Sequence, residues 1–318
     1  MIGKDLAKAE NLLREGKLVA IPTETVYGLA GNGFNEEALL EIFKVKNRPF
    51  FDPLILHTDS LDKVKQIVSD IPDQALSLAD TFWPGSLTLV LPKKNNVPDL
   101  VSSGLTTVAI RIPNHPISLK LLSKLEFPLA APSANPFGYI SPTTPFHVSD
   151  QLGDKIPYIL DGGNCNIGIE STIIGFPNNK PTIFRKGGLS IEQIENVIGP
   201  VSINSNSNSN PDAPGMLKKH YSPRNRIEIG DIDLMMKKYH NKTIGILSFF
   251  KSYDQIPKDL QFVLSPKMDL NEAGKNLFTA LRALDQLNPE VILTEYFPEE
   301  GLGLAINDRL KRAAAADH

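Results

Sequence analysis

The stretch Ile21-Pro22-Thr23-Glu24-Thr25-Val26-Tyr27-Gly28-Leu29 follows an apolar run over 18–21 and precedes a helical pattern opened by Asn35. An apolar run that breaks at a proline into small hydroxyl residues and a glycine reads as a buried strand ending in a polar turn. Open α/β sheets bind ligands at such strand ends. Further along, Lys44, Lys46 and Arg48 crowd into the last turn of the next helix, which Pro49 ends. A hydroxyl-rich strand end and a cation-rich helix end so close in sequence predict a site for an anion. Either motif alone is explained as well by turn hydroxyls bonding their own backbone and cations offsetting a helix dipole.

At 318 residues the chain exceeds one typical domain of roughly 100–200 residues, so two domains are expected. With 41% hydrophobic and 22% charged residues it has the composition of a soluble globular protein. No apolar run reaches the ~18 residues of a membrane span. The N-terminus interleaves Lys4, Asp5, Lys8 and Glu10, which no signal-peptide core tolerates, so a cytoplasmic location without membrane association is expected. A single cysteine, Cys165, excludes an intramolecular disulfide or a thiolate metal cluster, and it reads as packing rather than as a nucleophile. A net charge of -3 and a pI near 6.1 argue against a protein that coats nucleic acid, so the cations that matter must be local.

Apolar periodicity predicts helices over 5–15, from 35, over 61–69 and 74–82, and from Pro116, whose missing N–H costs nothing at a helix start. Strands are expected at 54–57, 86–91, 107–112, 127–131, 158–160, 172–176 and 182–185. Several of these end in hydroxyl, amide or cationic groups. Ser190 with Gln193 forms a capping box for a helix to Ile198. The Ser/Asn run over 202–210 has too few apolar groups to pack and reads as a flexible linker. From 226 onward strands alternate with helices, which predicts a small parallel α/β sheet. The expected division is a domain over 1–200, a linker over 201–225 and a second domain over 226–318.

The chain has no G-x-x-x-x-G-K-[ST] loop, no H-E-x-x-H, no paired cysteines and no G-x-S-x-G elbow. Phosphate chemistry would therefore fall to scattered cations such as Lys46, Arg48, Arg111 and Arg185, since a guanidinium grips a carboxylate or phosphate with two parallel hydrogen bonds. At this point the chain resembles the threonylcarbamoyl-AMP synthases built on a YrdC-like domain. The motifs that carry the resemblance are Pro22 to Leu29, Lys46-Asn47-Arg48-Pro49, Pro53-Leu54-Ile55-Leu56-His57, Trp83-Pro84-Gly85, Val108-Ala109-Ile110-Arg111-Ile112-Pro113, Ala131-Pro132-Ser133-Ala134-Asn135, Glu170-Ser171-Thr172-Ile173 and Arg185-Lys186-Gly187. Pro214-Gly215-Met216 and His220-Tyr221-Ser222-Pro223 match the longer, two-domain members.

The resemblance implies an α/β fold with a YrdC-like twisted open mixed sheet, followed by a smaller Rossmann-like parallel α/β domain. It implies that L-threonine, bicarbonate and ATP give threonylcarbamoyl-AMP and pyrophosphate. The product would pass to tRNA-modifying transferase proteins that act on the adenosine beside the anticodon, so tRNA is involved indirectly. Residue by residue, it places threonine on Thr25, His57, Arg111, Ala131 and Ser171. It places ATP on Arg48, Asp52, Thr107, Ser133, Ser141, Arg185 and Tyr221, with Mg²⁺ held mainly through ATP. Lys46, Arg48 and Arg185 would balance charge on the phosphates.

Asp52 departs from the family pattern, which commonly has an amide there; a carboxylate beside a triphosphate is repulsive unless a cation intervenes. Residues 201–225, with an aromatic flanked by cations, are expected to fold over the site as a lid. Two alternatives stay open: an RNA-binding module that uses the local cations, and a related carbamoyl-adenylate chemistry on the same fold.

Overall fold

The computed structural model describes residues 1–204 and 221–315, which form two α/β units. The first is built on a mixed sheet with eleven strands among the described residues: β1 (Ile2–Gly3), β2 (Val19–Ile21), β3 (Gly28–Asn32), β4 (Ile55–His57), β5 (Leu87–Pro92), β6 (Thr107–Arg111), β7 (Leu129–Ala130), β8 (Tyr158–Leu160), β9 (Thr172–Gly175), β10 (Thr182–Arg185) and β11 (Ser202–Ile203). Their order is β1-β8-β2-β3-β7-β4-β6-β5-β9-β10-β11. Helices α1 (Leu6–Arg14), α2 (Glu36–Lys46), α3 (Leu61–Ile67), α4 (Asp73–Phe82), α5 (Asp99–Ser102), α6 (Pro116–Leu122), α7 (Pro145–Leu152) and α8 (Ile191–Ile198) connect them. The second unit is an all-parallel sheet of β12 (Arg226–Ile229), β13 (Ile244–Ser248), β14 (Gln261–Val263) and β15 (Val291–Thr294), in the order β12-β15-β13-β14. It carries α9 (Ile232–Lys238), α10 (Leu270–Leu287) and α11 (Gly303–Ala314). No helix among the described residues is long and apolar enough to cross a membrane.

Strand periodicity decides which side chains become core and which face the cleft. Successive strand residues point to opposite faces. Leu87, Leu89 and Leu91 of β5, with Val108 and Ile110 of β6 and Leu54 and Leu56 around β4, join one large cluster with Leu39, Ile42 and Phe43 of α2, Val64 of α3 and Leu78 of α4. The alternate residues Ile55, Val90, Ala109, Ile173 and Phe184 form a separate small cluster on the opposite face. His57 and Arg111 lie on that second face and are register partners at the ends of the parallel strands β4 and β6. Two polar groups with no neighbours in sequence are thus delivered side by side.

Two helix starts carry the caps that the sequence predicts. Asn35 caps α2 by accepting from the Ala38 N–H, and Ser190 with Gln193 closes a capping box on α8. Three features differ from the sequence reading. Residues 22–27 turn the chain back on itself, so that Ile21 pairs with Gly28 and β3 returns antiparallel to β2 before α2 begins. Two glycines in five residues hide this strand from propensity, yet Gly31 is where Leu18 and Ile42 approach: a Cβ there would lie 2.9 and 3.2 Å from their methyl carbons. Helices α5 and α7 are also not foreseen; α7 begins at Thr144, which accepts from the His147 N–H ahead of a favourable Pro145. Ser202 and Ile203, assigned by composition to the linker, instead pair in parallel with Thr182 and Ile183, because a sheet edge supplies the backbone partners that their side chains do not demand. Of the expected linker and lid over 201–225, residues 205–220 lie outside the described residues, whereas 221–225 are described, with Tyr221 buried.

The two units share one apolar cluster, in which Val26, Ile140 and Ile169 of the first meet Leu277, Phe278 and Leu281 of α10 and Ile306 and Leu310 of α11. At Gly168 the backbone takes φ +80, and a Cβ would stand 2.5 Å from Lys275 Cα, so the chain passes directly against α10 there. Phe278 is fully buried in this cluster and stacks on Tyr221 with ring centroids 5.5 Å apart. Phe278→Ala should therefore lower stability by about 3–5 kcal/mol, read as a lower denaturant midpoint, and should move both units together. Two separated transitions in the wild-type protein, only one of them shifted by the substitution, would contradict a shared core.

Candidate active site

The turn after β2, the ends of β4 and β6, the segments after β7 and before β9, and the end of β10 converge on one cleft. It is lined by Thr23, Thr25, Val26, Gly28, Arg48, Pro53, Ile55, His57, Arg111, Ala131, Pro132, Ser133, Glu170, Ser171, Arg185 and Tyr221. Of the residues picked from the sequence, Thr25, Arg48, His57, Arg111, Ala131, Ser133, Ser171, Arg185 and Tyr221 are brought together there.

Each cation at the cleft is held by acceptors of the protein. Arg111 pairs with Glu24 at 2.6 Å, donates to Thr25 Oγ1 at 2.9 Å, and donates through Nε to the Gly85 carbonyl at 3.0 Å. Glu24 uses its other oxygen to accept from the Asn114 N–H at 3.0 Å. A guanidinium has five N–H donors, and these contacts engage one on each of its three nitrogens. Arg48 donates to the carbonyls of Asp52 and Pro53 and pairs with the Asp52 carboxylate at 2.8 Å. Arg185 donates to the Ser171 carbonyl and, through Nη2, to Ser171 Oγ, both at 3.0 Å. Ser171 Oγ also lies 2.7 Å from Thr88 Oγ1, which alternation brings to the same sheet face. Thr23 both meets Thr25 Oγ1 at 2.8 Å and donates to the Val26 carbonyl at 2.6 Å, so this hydroxyl stabilises the turn as well as lining the cleft.

Four of the sequence-predicted residues stand elsewhere. Lys46 is buried at the end of α2, and its ammonium donates to the carbonyls of Ser133 and Asn135, so it staples the segment after β7 and does not line the cleft. Burial first, and Arg48 second, hold its pKa well below the ordinary lysine value. Asp52 is fully buried behind Arg48; the cation that a carboxylate here requires is Arg48 itself. Ser141 donates to Glu170 Oε1 at 2.5 Å, in the layer behind the cleft wall. Thr107 shares the face of Arg111, but four residues away along β6, about 13 Å at ~3.3 Å per residue. It lines a neighbouring depression with Val90, Thr182 and Phe184.

Glu24 and Glu170 stand within the sequence motifs, and only the fold shows what they hold. The signal available was chemical: a buried arginine that cannot deprotonate needs a carboxylate, and each glutamate stands in a stretch that ends at the cleft. Glu170 is pushed up by burial, but Arg309, then Arg185, then the Ser141 hydroxyl outweigh this and hold its carboxyl below the ordinary value. Burial, then the neighbouring Arg111, push His57 down to about 3, so the imidazole in the cleft is neutral at physiological pH. Cys165 is buried in the large cluster, and burial pushes its thiol up, as expected of packing rather than nucleophilic chemistry. Among the described residues no group of three or more His, Cys, Asp or Glu is arranged to hold a metal ion.

The fold and cleft are those of a YrdC-like α/β protein with a C-terminal parallel unit. The family described as telomere recombination matches residues 11–187, and the one described as threonylcarbamoyl-AMP synthase, C-terminal domain, matches residues 189–315. A threonylcarbamoyl-AMP synthase of Pyrococcus abyssi is 43% identical over 96% of this chain and 93% of its own length. One of Bacillus subtilis is 38% identical over 97% and 92%. The solved structure of P. abyssi Sua5 complexed with L-threonine superposes with a TM-score of 0.91 at 40% identity, covering 99% of this chain and 97% of that one. The chain belongs to the threonylcarbamoyl-AMP synthase family, in its long, two-domain form.

Two outcomes test the site's construction. A Cβ on Gly187 would stand 2.4 Å from the Glu170 carbonyl oxygen and from Ser171 C, so Gly187→Ala must displace the segment that positions Ser171 and should cut activity at least about ten-fold, measured by initial rates. The second concerns acid. His57 has a folded pKa of about 3 against 6.5 when unfolded, so between those values the unfolded chain binds more protons and stability falls as pH falls. His147, pushed down to about 4 by burial and Arg282, acts with the same sign. Thermal midpoints should drop from pH 6.5 toward pH 4, and His57→Gln should flatten that slope; an unchanged slope would show that His57 is not buried neutral.

Proposed function

We propose that the chain condenses L-threonine, bicarbonate and ATP into threonylcarbamoyl-AMP and pyrophosphate, and that the product serves the tRNA modification next to the anticodon. The observation that carries this reading is the pairing, in one cleft, of a small polar pocket with two buried guanidiniums. Thr25, His57, Arg111 and Ser171 suit a hydroxylated amino acid, and Arg48 and Arg185 suit phosphates. Membership of the family and the P. abyssi relative solved with L-threonine support the same assignment.

The chemistry needs no covalent protein nucleophile. The threonine amine and bicarbonate give a carbamate with loss of water. A carbamate oxygen then attacks the α-phosphorus, forming the mixed anhydride as the bond to pyrophosphate breaks and the electron pair leaves on its oxygen. The protein's part is positioning and charge balance. Arg111 offers the threonine carboxylate a charge-assisted contact from the N–H groups that Glu24, Thr25 and Gly85 leave over. His57, neutral, accepts from the substrate amine or hydroxyl without adding positive charge. Arg48 and Arg185 meet the phosphates, with Lys46 and Asp52 acting behind them to fix the Ser133 segment and the Arg48 side chain. The nucleotide base and ribose extend along the face that carries Ile55, Ala109 and Thr107. ATP enters as its Mg²⁺ complex, because the carboxylates nearest the cleft, Glu24, Asp52 and Glu170, are already committed to arginines.

Pyrophosphate release should require ATP, threonine and bicarbonate together, and mass spectrometry should find threonylcarbamoyl-AMP; release without threonine would sink the assignment. Arg111→Ala should raise the threonine KM far more than the ATP KM, a loss of roughly 1.5–3 kcal/mol for a charged hydrogen bond, and equal losses for both substrates would reassign that arginine. Arg48→Ala should instead depress kcat, since it acts where charge builds on the phosphates. Threonine should exceed valine by more than it exceeds serine, because a polar group left unpaired costs more than a missing methyl.

A further inference from the structure

We propose that Arg309, supplied by the C-terminal unit, is a positioning residue of the nucleotide site: it neutralises the Glu170 carboxylate in the cleft wall so that Arg185 and Tyr221 can meet a triphosphate with no uncompensated negative charge beside them. This rests on the adenylating function proposed above. Arg309 lies in α11, far from the first sheet in sequence, yet it has no exposed surface. Its Nε and Nη2 stand 3.1 and 3.0 Å from Glu170 Oε2, and its Nη1 donates to the Lys186 carbonyl, next to Arg185. Nη1 also lies 3.3 Å from Asp308. The guanidinium sits over the Tyr221 ring at 5.2 Å from its centroid. Glu170 is thus clamped from both sides, by Arg309 on one oxygen and by the Ser141 hydroxyl on the other.

Among the described residues that line the cleft Glu170 is the acidic one, and the Arg185 guanidinium is near enough to favour its charged form. Without Arg309, a buried carboxylate would face the same side as incoming phosphates and would draw Arg185 toward itself, away from the nucleotide. If instead the Arg309–Glu170 pair only fastened the two units together, removing either partner would loosen the whole cleft and affect both substrates alike.

The test is a double-substitution cycle on the full chain, following pyrophosphate release with ATP and threonine each varied. Arg309→Gln should raise the ATP KM about ten-fold or more while the threonine KM stays within about three-fold. Adding Glu170→Gln to it should recover most of the ATP loss, because the unpaired carboxylate is then gone. A double variant no better than Arg309→Gln overturns the proposal, as do equal losses for both substrates or no loss for either. Should Arg309→Gln fail to fold, the double variant decides alone: an ATP KM within about three-fold of wild type supports the role through Glu170, and a loss of about ten-fold shows that Arg309 acts otherwise. Wild-type protein that releases no threonine-dependent pyrophosphate would count against the proposed reaction instead. The same cycle read by calorimetric titration with Mg²⁺·ATP would then still support or overturn the role of Arg309.

Discussion

The site depends on one constraint: Arg48, Arg111, Arg185 and Arg309 are all buried, and a guanidinium does not give up its charge. A buried cation is tolerated only where internal acceptors replace its water. Each of the four has found them, in Asp52 and two carbonyls, in Glu24 and Thr25, in Ser171, and in Glu170 and the Lys186 carbonyl. Buried ion pairs of this kind are weak evidence for stability, since packed apolar groups of similar volume often serve as well. They fix cations in place before any ligand arrives, which is the condition for stabilising charge that develops in a reaction.

Buried polar contacts of the same kind link the two units. Arg282 of α10 donates to the carbonyls of Ile140 and Ser141, Tyr139 donates to Asp285 of the same helix, and Arg309 of α11 reaches Glu170. Ser141 and Glu170 are bonded to each other, so the C-terminal unit grips one continuous part of the cleft wall from behind. With Phe278 and Arg309 against Tyr221, the second unit forms part of the site's support as well as packing beside it.

Much of the architecture was legible locally. The alternation Leu87-Thr88-Leu89-Val90-Leu91 predicts a strand and also says that Thr88 and Val90 share a face opposite the leucines, because the side-chain period of a strand is two wherever it occurs. Asn35 and Ser190 announce their helices since a cap is satisfied within three residues. Strand β3 was not legible, because a glycine-rich strand is specified by neighbours that crowd out side chains and not by any preference of its own residues. Ser202 and Ile203 escape composition for a related reason: a sheet edge recruits backbone, and composition does not see an edge.

By itself the sequence determined that the chain is α/β, that hydroxyls and cations stand at strand and helix ends, and, through the ordered motifs, which family those ends resemble. Only the tertiary structure decided what each charge does. Nothing near Lys46 in sequence says that the carbonyls of Ser133 and Asn135, 87 and 89 residues away, hold its ammonium. Asp52 reads as a repulsive neighbour of phosphate until Arg48 is seen to cover it. Glu170 and Arg309 are 139 residues apart and belong to different units. Secondary structure follows from periodicities a few residues long, whereas the partner of a buried charge can come from anywhere that packing brings near, and that choice is made only when the whole chain folds.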